Sequence, residues 1–204
     1  LVHSGGNSVS LTTPTSNPAS NITFKLPQAD GTAGQVLQTD GNGNLSWVTP
    51  SKILQVLENV RVDASTQSMT SGSTYEPTFL RQSITTTGSN KVLIEGFLSI
   101  GMTSPGNSLM VGLRRDGSNV GHGVASGNKR TCTAVGFNKD SYNIMSIPFS
   151  FLDSPGAGTH EYHLQISHMS GGTQTIYINR TADDTNSNQY PRCISVIRCS
   201  EIAA

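Results

Sequence analysis

The sequence predicts an all-β protein, an antiparallel sandwich or jelly roll behind a short β connector, and three observations predict it. About nine or ten short runs with apolar periodicity of two follow residue 52, separated by Gly, Asn, Asp and Pro turns. Charged residues make up 13% of the 204 positions, while Gly numbers 21 and Ser, Thr and Asn are spread throughout, a composition that disfavours helix interiors and favours turns. No helical pattern is strong enough to supply the helix layer of an α/β fold. The length suits one domain of about 150 residues with an appendage.

The residue-level reading divides the chain into an extended leader at 1–20, a β-hairpin connector at 21–50 and a head domain at 51–204. The leader, LVHSGGNSVSLTTPTSNPAS, holds one short strand candidate at Val9 to Thr12, then Pro14 and Pro18, and buries too little to fold alone. Its start, Leu1-Val2-His3, has neither an initiator Met nor a signal pattern, so the numbering is expected to begin inside a longer or processed polypeptide. Asn21 to Leu26 alternates, with Ile22, Phe24 and Leu26 on one side, and Pro27 ends it. Gln35 to Thr39 and Leu45 to Thr49 flank Asp40-Gly41-Asn42-Gly43-Asn44, a turn composition that reverses the chain at little steric cost. Pairing Thr39 with Leu45 sets Leu37 opposite Trp47 and Val36 opposite Val48. A hairpin of this size, apolar on both faces, is marginal alone, so Leu37 and Trp47 are expected at an interface between chains.

In the head, Ile53 to Val62 is apolar on both faces, and its β-branched content favours a strand over a helix. Thr78 to Thr87 follows, then Lys91 to Ile100, where Val92, Ile94, Leu98 and Ile100 share one face and Leu93 and Phe97 the other. Ser108 to Arg115 turns at Asp116-Gly117 into Asn119 to Val124. Arg130 to Phe137 and Tyr142 to Leu152 come next, the latter apolar on both faces with Met145 and Phe149, and Pro148 marking an edge or bulge. His160 to Met169, Gln174 to Asn179 and Cys193 to Ile202 complete the set. A two-layer sandwich covers one side of each strand, so the two-faced strands carrying Leu93, Phe97, Met145 and Phe149 predict an oligomer interface.

Composition excludes several function classes. Net charge is zero, from 13 basic and 13 acidic residues, and Arg114-Arg115 and Lys129-Arg130 are only local basic spots, so no nucleic-acid partner is expected. No run of about 20 apolar residues is present, so no membrane insertion by a helix is expected. Cys132, Cys193 and Cys199 lack metal spacing and read as reduced, mostly buried thiols.

Several of these segments carry a resemblance. NITFKLPQADGTAGQVLQTDGNGNLSWV, in the order LP, DGTAGQVLQTDG, GNLSWV, closely resembles a connector recurring in virion fibre proteins of tailed bacteriophages, particularly marine and cyanobacterial ones. KILQVLENV, NKVLIEGFLSIG, LRRDG, SFLDSPGAGTHEYHLQI, YINRTADDT and YPRCISVIRCSEI resemble the head domain often found behind it, so the likeness covers most of 21–202. The resemblance implies a homotrimeric fibre ending in a jelly-roll head similar to tumour-necrosis-factor-like and C1q-like trimers. It implies attachment to the virion, on tail or capsid, and exposure of the head at a fibre tip; the expected partners are other virion proteins on the N-terminal side and a host cell-surface glycan or protein, and the reduced thiols suit assembly in the host cytoplasm. It brings no catalytic motif.

Chemistry in the residues is sparse. His160 and His163 point to opposite faces of a strand, and His160 and His168 share a face but lie far apart, so no metal is expected, and with His3 and His122 they read as solvent-facing or interface histidines. Asp183-Asp184 lacks the alternating ligands of a calcium loop. No nucleophile motif or paired carboxylate appears, so neither an enzyme nor a cofactor is expected. Glycan binding asks for aromatic faces and polar groups on loops. Asp183, Asp184, Asn186, Asn188 and Tyr190 supply them on one loop, with His122 and Tyr142 on two others, while Asn179, Arg180 and Arg192 read as pins holding the first loop to the sheet. The reading is an attachment fibre head, with a ligand-free capsid or neck decoration, or a polysaccharide depolymerase with an intersubunit site, as alternatives.

Overall fold

The computed structural model describes residues 5–6, 12, 14–50, 53–104, 106–169 and 171–203. The strand candidate at Val9 to Thr12 lies, but for Thr12, outside the described residues, as does His3. Two compact units are present, Leu1–Pro50 and Ser51–Ala204.

The first unit contains a hairpin of β1 (Val36–Thr39) and β2 (Leu45–Val48), paired Val36 to Val48, Leu37 to Trp47 and Thr39 to Leu45. Turn chemistry sets this register. The Asp40 carboxylate accepts from the Asn42 and Asn44 backbone amides at 2.8 and 3.1 Å and from the Asn44 side chain at 2.5 Å, and these bonds, the Asn44 side chain first, hold Asp40 below the usual carboxylate range. The expected strand at Asn21 to Leu26 shrinks to a single bridge from Lys25 to Asn44, leaving Ile22, Phe24 and Leu26 exposed, because Pro27 ends the ladder by removing a donor. Trp47 donates its indole N–H to the Ala29 carbonyl at 3.0 Å and its ring fills the space a Cβ would take at Gly31, 2.6 Å away.

The second unit is an antiparallel all-β jelly roll. Its strands are β3 (Ile53–Arg61), β4 (Ser65–Thr70), β5 (Arg81–Thr86), β6 (Lys91–Met102), β7 (Asn107–Arg115), β8 (Ser118–Val120), β9 (Ala134–Asn138), β10 (Met145–Asp153), β11 (Gly158–His168), β12 (Thr173–Ile178) and β13 (Ser195–Ile202). One sheet runs β3-β13-β6-β10, with β12 taking over from β13 along the end of β6 and β4 pairing β12. The other runs β5-β11-β7, with β8 and β9 sharing the far side of β7. Successive strands β5 to β7 and β9 to β11 alternate between the sheets, so consecutive inward faces close on one core. Leu80, Ile84, Leu98, Leu113, Leu164 and Ile197 sit fully enclosed there.

β4, Ser-Thr-Gln-Ser-Met-Thr, has a single apolar residue, Met69, and is a strand because β12 offers it an edge. Asp116 and Gly117 both adopt positive φ, 49° and 80°, at the tight turn from β7 to β8. Pro148 sits on β10, the edge strand of its sheet, where no partner needs its missing N–H.

Strand parity corrects part of the interface expectation. Met145 and Phe149 face inward, Phe149 within the core and Met145 packed against it, because Ser146, Pro148, Ser150 and Leu152 take the outward positions of β10. Leu93 and Phe97 do lie on the outward face of β6, opposite Leu152 and Pro148.

Candidate functional site

The outward face of the β3-β13-β6-β10 sheet is ordered in cross-strand rows. Val60, Val196, Phe97 and Pro148 stand side by side, and Val56, Ser200, Leu93 and Leu152 form a parallel row. Between them run Glu58, Arg198, Glu95 and Ser150, with Arg198 donating to one Glu58 oxygen at 2.8 and 2.5 Å. Val56, Val60 and Leu152 are each about half exposed, at 52%, 42% and 47%. Beside Gly96 a cavity of about 300 Å³ opens, lined by Glu95, Phe97, Phe149, Val196 and Arg198.

The other sheet's outward face is charged. Glu76, in the β4–β5 connection, accepts from Arg114 and, at 2.9 Å, from Gln165, and lies 3.7 Å from Arg81, which donates to Glu161 at 2.6 Å. His163 is enclosed among these groups, 3.5 Å from Glu76 and 3.4 Å from Glu161. Burial first, then Arg81, pushes its pKa down. This corrects the expectation of solvent-facing histidines: His163 is 2% exposed, and His168 is fully buried with Nε2 at 2.9 Å from the Met69 carbonyl. His160 takes the opposite face and meets the Asp116 carboxylate at 2.8 Å.

The loop between β12 and β13 carries the polar and aromatic groups. Its base is a staple at Asn179, which adopts φ 59° with its side chain fully buried. The Asn179 amide donates to the Arg61 and Asp63 carbonyls at 2.8 and 3.1 Å and accepts from the Ser195 hydroxyl at 2.6 Å, so a conformation Asn tolerates is fully bonded. Arg180 packs its guanidinium 4.4 Å from the Tyr177 ring centre, and Arg180 and Arg192 form a β-bridge that closes the loop. Asp184 ties both arginines, at 3.4 and 2.6 Å. Arg180 and Arg192 thus act as fasteners, and the carboxylate of Asp184 is occupied.

Above this base the loop presents a ledge. Tyr142, 58% exposed, and Tyr190 lie with ring centres 6.0 Å apart and tilted by 32°, while the Ala182 amide donates to the Ser141 carbonyl at 3.1 Å and joins the two segments. Asp183 accepts from the Thr185 hydroxyl at 2.6 Å, the main reason its carboxyl sits below the ordinary range. Asn186 and Asn188 are exposed beside it. Six of the seven residues expected to bind ligand therefore belong to one surface. His122 does not: it lies on the outward side of the other sheet, against Gly112, with Nε2 3.1 Å from the Leu113 carbonyl.

Among the described residues no cluster of three His, Cys, Asp or Glu side chains is placed to hold a metal ion, and no helix is long and apolar enough to cross a membrane. Cys132, Cys193 and Cys199 are free thiols, and burial pushes Cys199 up to about 12. Sequence reasoning missed Val60, Val196, Pro148 and Leu152 as members of the apolar rows. Their alternation was visible, but the register that aligns them was not.

No protein-family model and no curated protein matches the sequence. The chain is similar in structure to the VP2 subviral particle of infectious bursal disease virus, at 15% identity and a TM-score of 0.43, covering 78% of this chain and 43% of that one. It is also similar to the T=1 particles derived from that virus, at 14% identity and 0.44, covering 78% and 41%, and to the Gt strain, at 14% and 0.42, covering 78% and 43%. The chain thus spans less than half the length of these neighbours, and scores of this size assign neither family nor role.

Proposed function

We propose that this chain is the attachment end of a virion fibre, whose jelly-roll heads trimerise through the rows of Val60 and Val56 and contact a host-surface glycan through the Tyr142–Tyr190 ledge. The observation that carries the reading is the polarity of the head. Ile53, where the first strand begins, pairs with Ile202, which pairs with Lys91 at the start of β6. Tyr142 and the loop of Tyr190 stand at the other end of the same sheet, where Met145 meets Ile100 and Ser195 meets Arg61. A nine-residue strand spans about 30 Å, so the head is joined at one end and offers its aromatic ledge at the other. An attachment module needs that arrangement, and a threefold head would add three weak sugar contacts into useful avidity.

Light scattering on the purified chain is expected to give three times the 21.6 kDa chain mass. A monomer mass overturns the trimer. An array of neutral glycans should show binding that Tyr142→Ala with Tyr190→Ala abolishes. No array binding by the wild-type chain favours a ligand-free decoration, and release of reducing ends from a bound polysaccharide favours a depolymerase.

A further inference from the structure

A second concavity lies away from the ledge, on the outward side of the β5-β11-β7-β9 sheet. It is a groove of about 360 Å³ with an apolar floor of Met110, Val135 and Met169. Met110 and Val135 are register partners across β7 and β9 and project to the same side; Val135 and Met169 are 55% and 59% exposed. Asn128, Lys129, Arg130 and Cys132 line the rim.

The charge of that rim has no carboxylate partner among the described residues. Arg61, Arg81, Arg114, Arg115, Arg180, Arg192 and Arg198 each have a carboxylate within 4 Å. Among the described residues Arg130 has none, and neither has Lys129, while Arg130 gives only a long 3.4 Å bond to the His168 carbonyl. Two adjacent cations without counter-charge over an apolar floor fit a compact anion with an apolar face. Two cations on a chain of zero net charge are too few for a nucleic-acid track. An open groove of this volume holds one or two sugar rings and gives no slot for acyl chains.

The geometry points to this groove as the binding site of a uronic-acid-type sugar. Its carboxylate lies between Lys129 and Arg130, its hydroxyls reach the Asn128 side chain, and its C–H face rests on Met110, Val135 and Met169. The inference rests on the head being a glycan-binding module and names the glycan class.

The test titrates the full chain with tetragalacturonate and with its methyl ester. Tetragalacturonate is expected to bind, with affinity falling about tenfold or more on esterification and by a similar factor in K129Q/R130Q. Both substituted side chains are exposed, so the variant should keep the wild-type melting temperature, and the ester comparison on the unaltered chain does not depend on it. Bound tetragalacturonate should also slow alkylation of Cys132, followed by peptide mass spectrometry. Equal binding of the ester, unchanged affinity in the variant, or an unprotected Cys132 overturns the site. Displacement by hexaglutamate or by phosphatidylglycerol vesicles at equal concentration overturns the sugar assignment. Tyr142→Ala with Tyr190→Ala should leave tetragalacturonate binding intact, which separates failure of the groove from failure of the ledge.

Discussion

The two outward faces of the head occupy equivalent places in the fold and are built in opposite ways. Over β5, β11 and β7 the sheet is roofed by its own chain: Glu76 and Glu161 tie Arg81 and Arg114 together above His163. Over β3, β13, β6 and β10, Val56, Val60 and Leu152 are exposed and Phe97 is half-buried among the described residues, and a band of charge, Glu58 with Arg198 beside Glu95, divides the two rows. Burying apolar surface stabilises by about 25 cal/mol per Å², so Val56, Val60 and Leu152 would gain from cover, whereas the carboxylates above His163 are already paired with arginines.

The largest expected effect breaks this contrast at its apolar end. Phe97→Asp sets a carboxylate in the row of Val60, Val196 and Pro148, and should weaken trimer association by about 3 kcal/mol or more, seen as a fall to monomer mass in light scattering. Ser83→Lys on the charged face should leave the mass unchanged. If both variants stay trimeric, the apolar rows are not the interface.

An intermediate effect is expected at the charged end. Glu76→Ala removes the acceptor shared by Arg114 and Gln165 and should cost about 2 kcal/mol, read as a drop of several degrees in the melting temperature with the oligomer mass retained. Glu76 is held below its ordinary 4.5; burial opposes this, but the bonds from Gln165 and Arg114 prevail, so its contribution is complete above that pH and is lost below it.

The smallest effect at neutral pH comes from His163. Burial depresses its pKa below 6.5, so the unfolded chain takes up a proton that the folded head refuses. Stability should therefore decline as pH falls from 6.5 toward the depressed value. His163→Gln should flatten this part of a pH series of melting temperatures. An unchanged slope would show that the histidine titrates freely.

Legibility in the sequence followed the range of the interaction. The hairpin register could be read because Asp40 to Asn44 dictates it within five residues. The phase of β10 was misread: YNIMSIPFSFL is apolar at so many positions that Met145 and Phe149 looked available to a partner, although Ser146 and Ser150 already marked the outward parity. β4 was invisible because its strand character is supplied by β12, a hundred residues away in the chain. The buried His163 was unreadable for the same reason, since Glu76 and Arg114 reach it only through the closed sheet. The aromatic ledge was half legible: the loop composition pointed to Tyr190 and its neighbours, and Tyr142 joined them, while His122 went to another sheet.

The staple at Asn179 has an evolutionary consequence. Asn179, Ser195 and the Arg180–Arg192 bridge fasten both ends of the loop to the sheet without using the side chains of residues 185–189. Substitutions and short insertions there change the exposed surface at almost no cost to the core. The surface of this loop can therefore be rewritten by altering a few codons in one cassette, while the residues that fasten its ends stay under selection for folding.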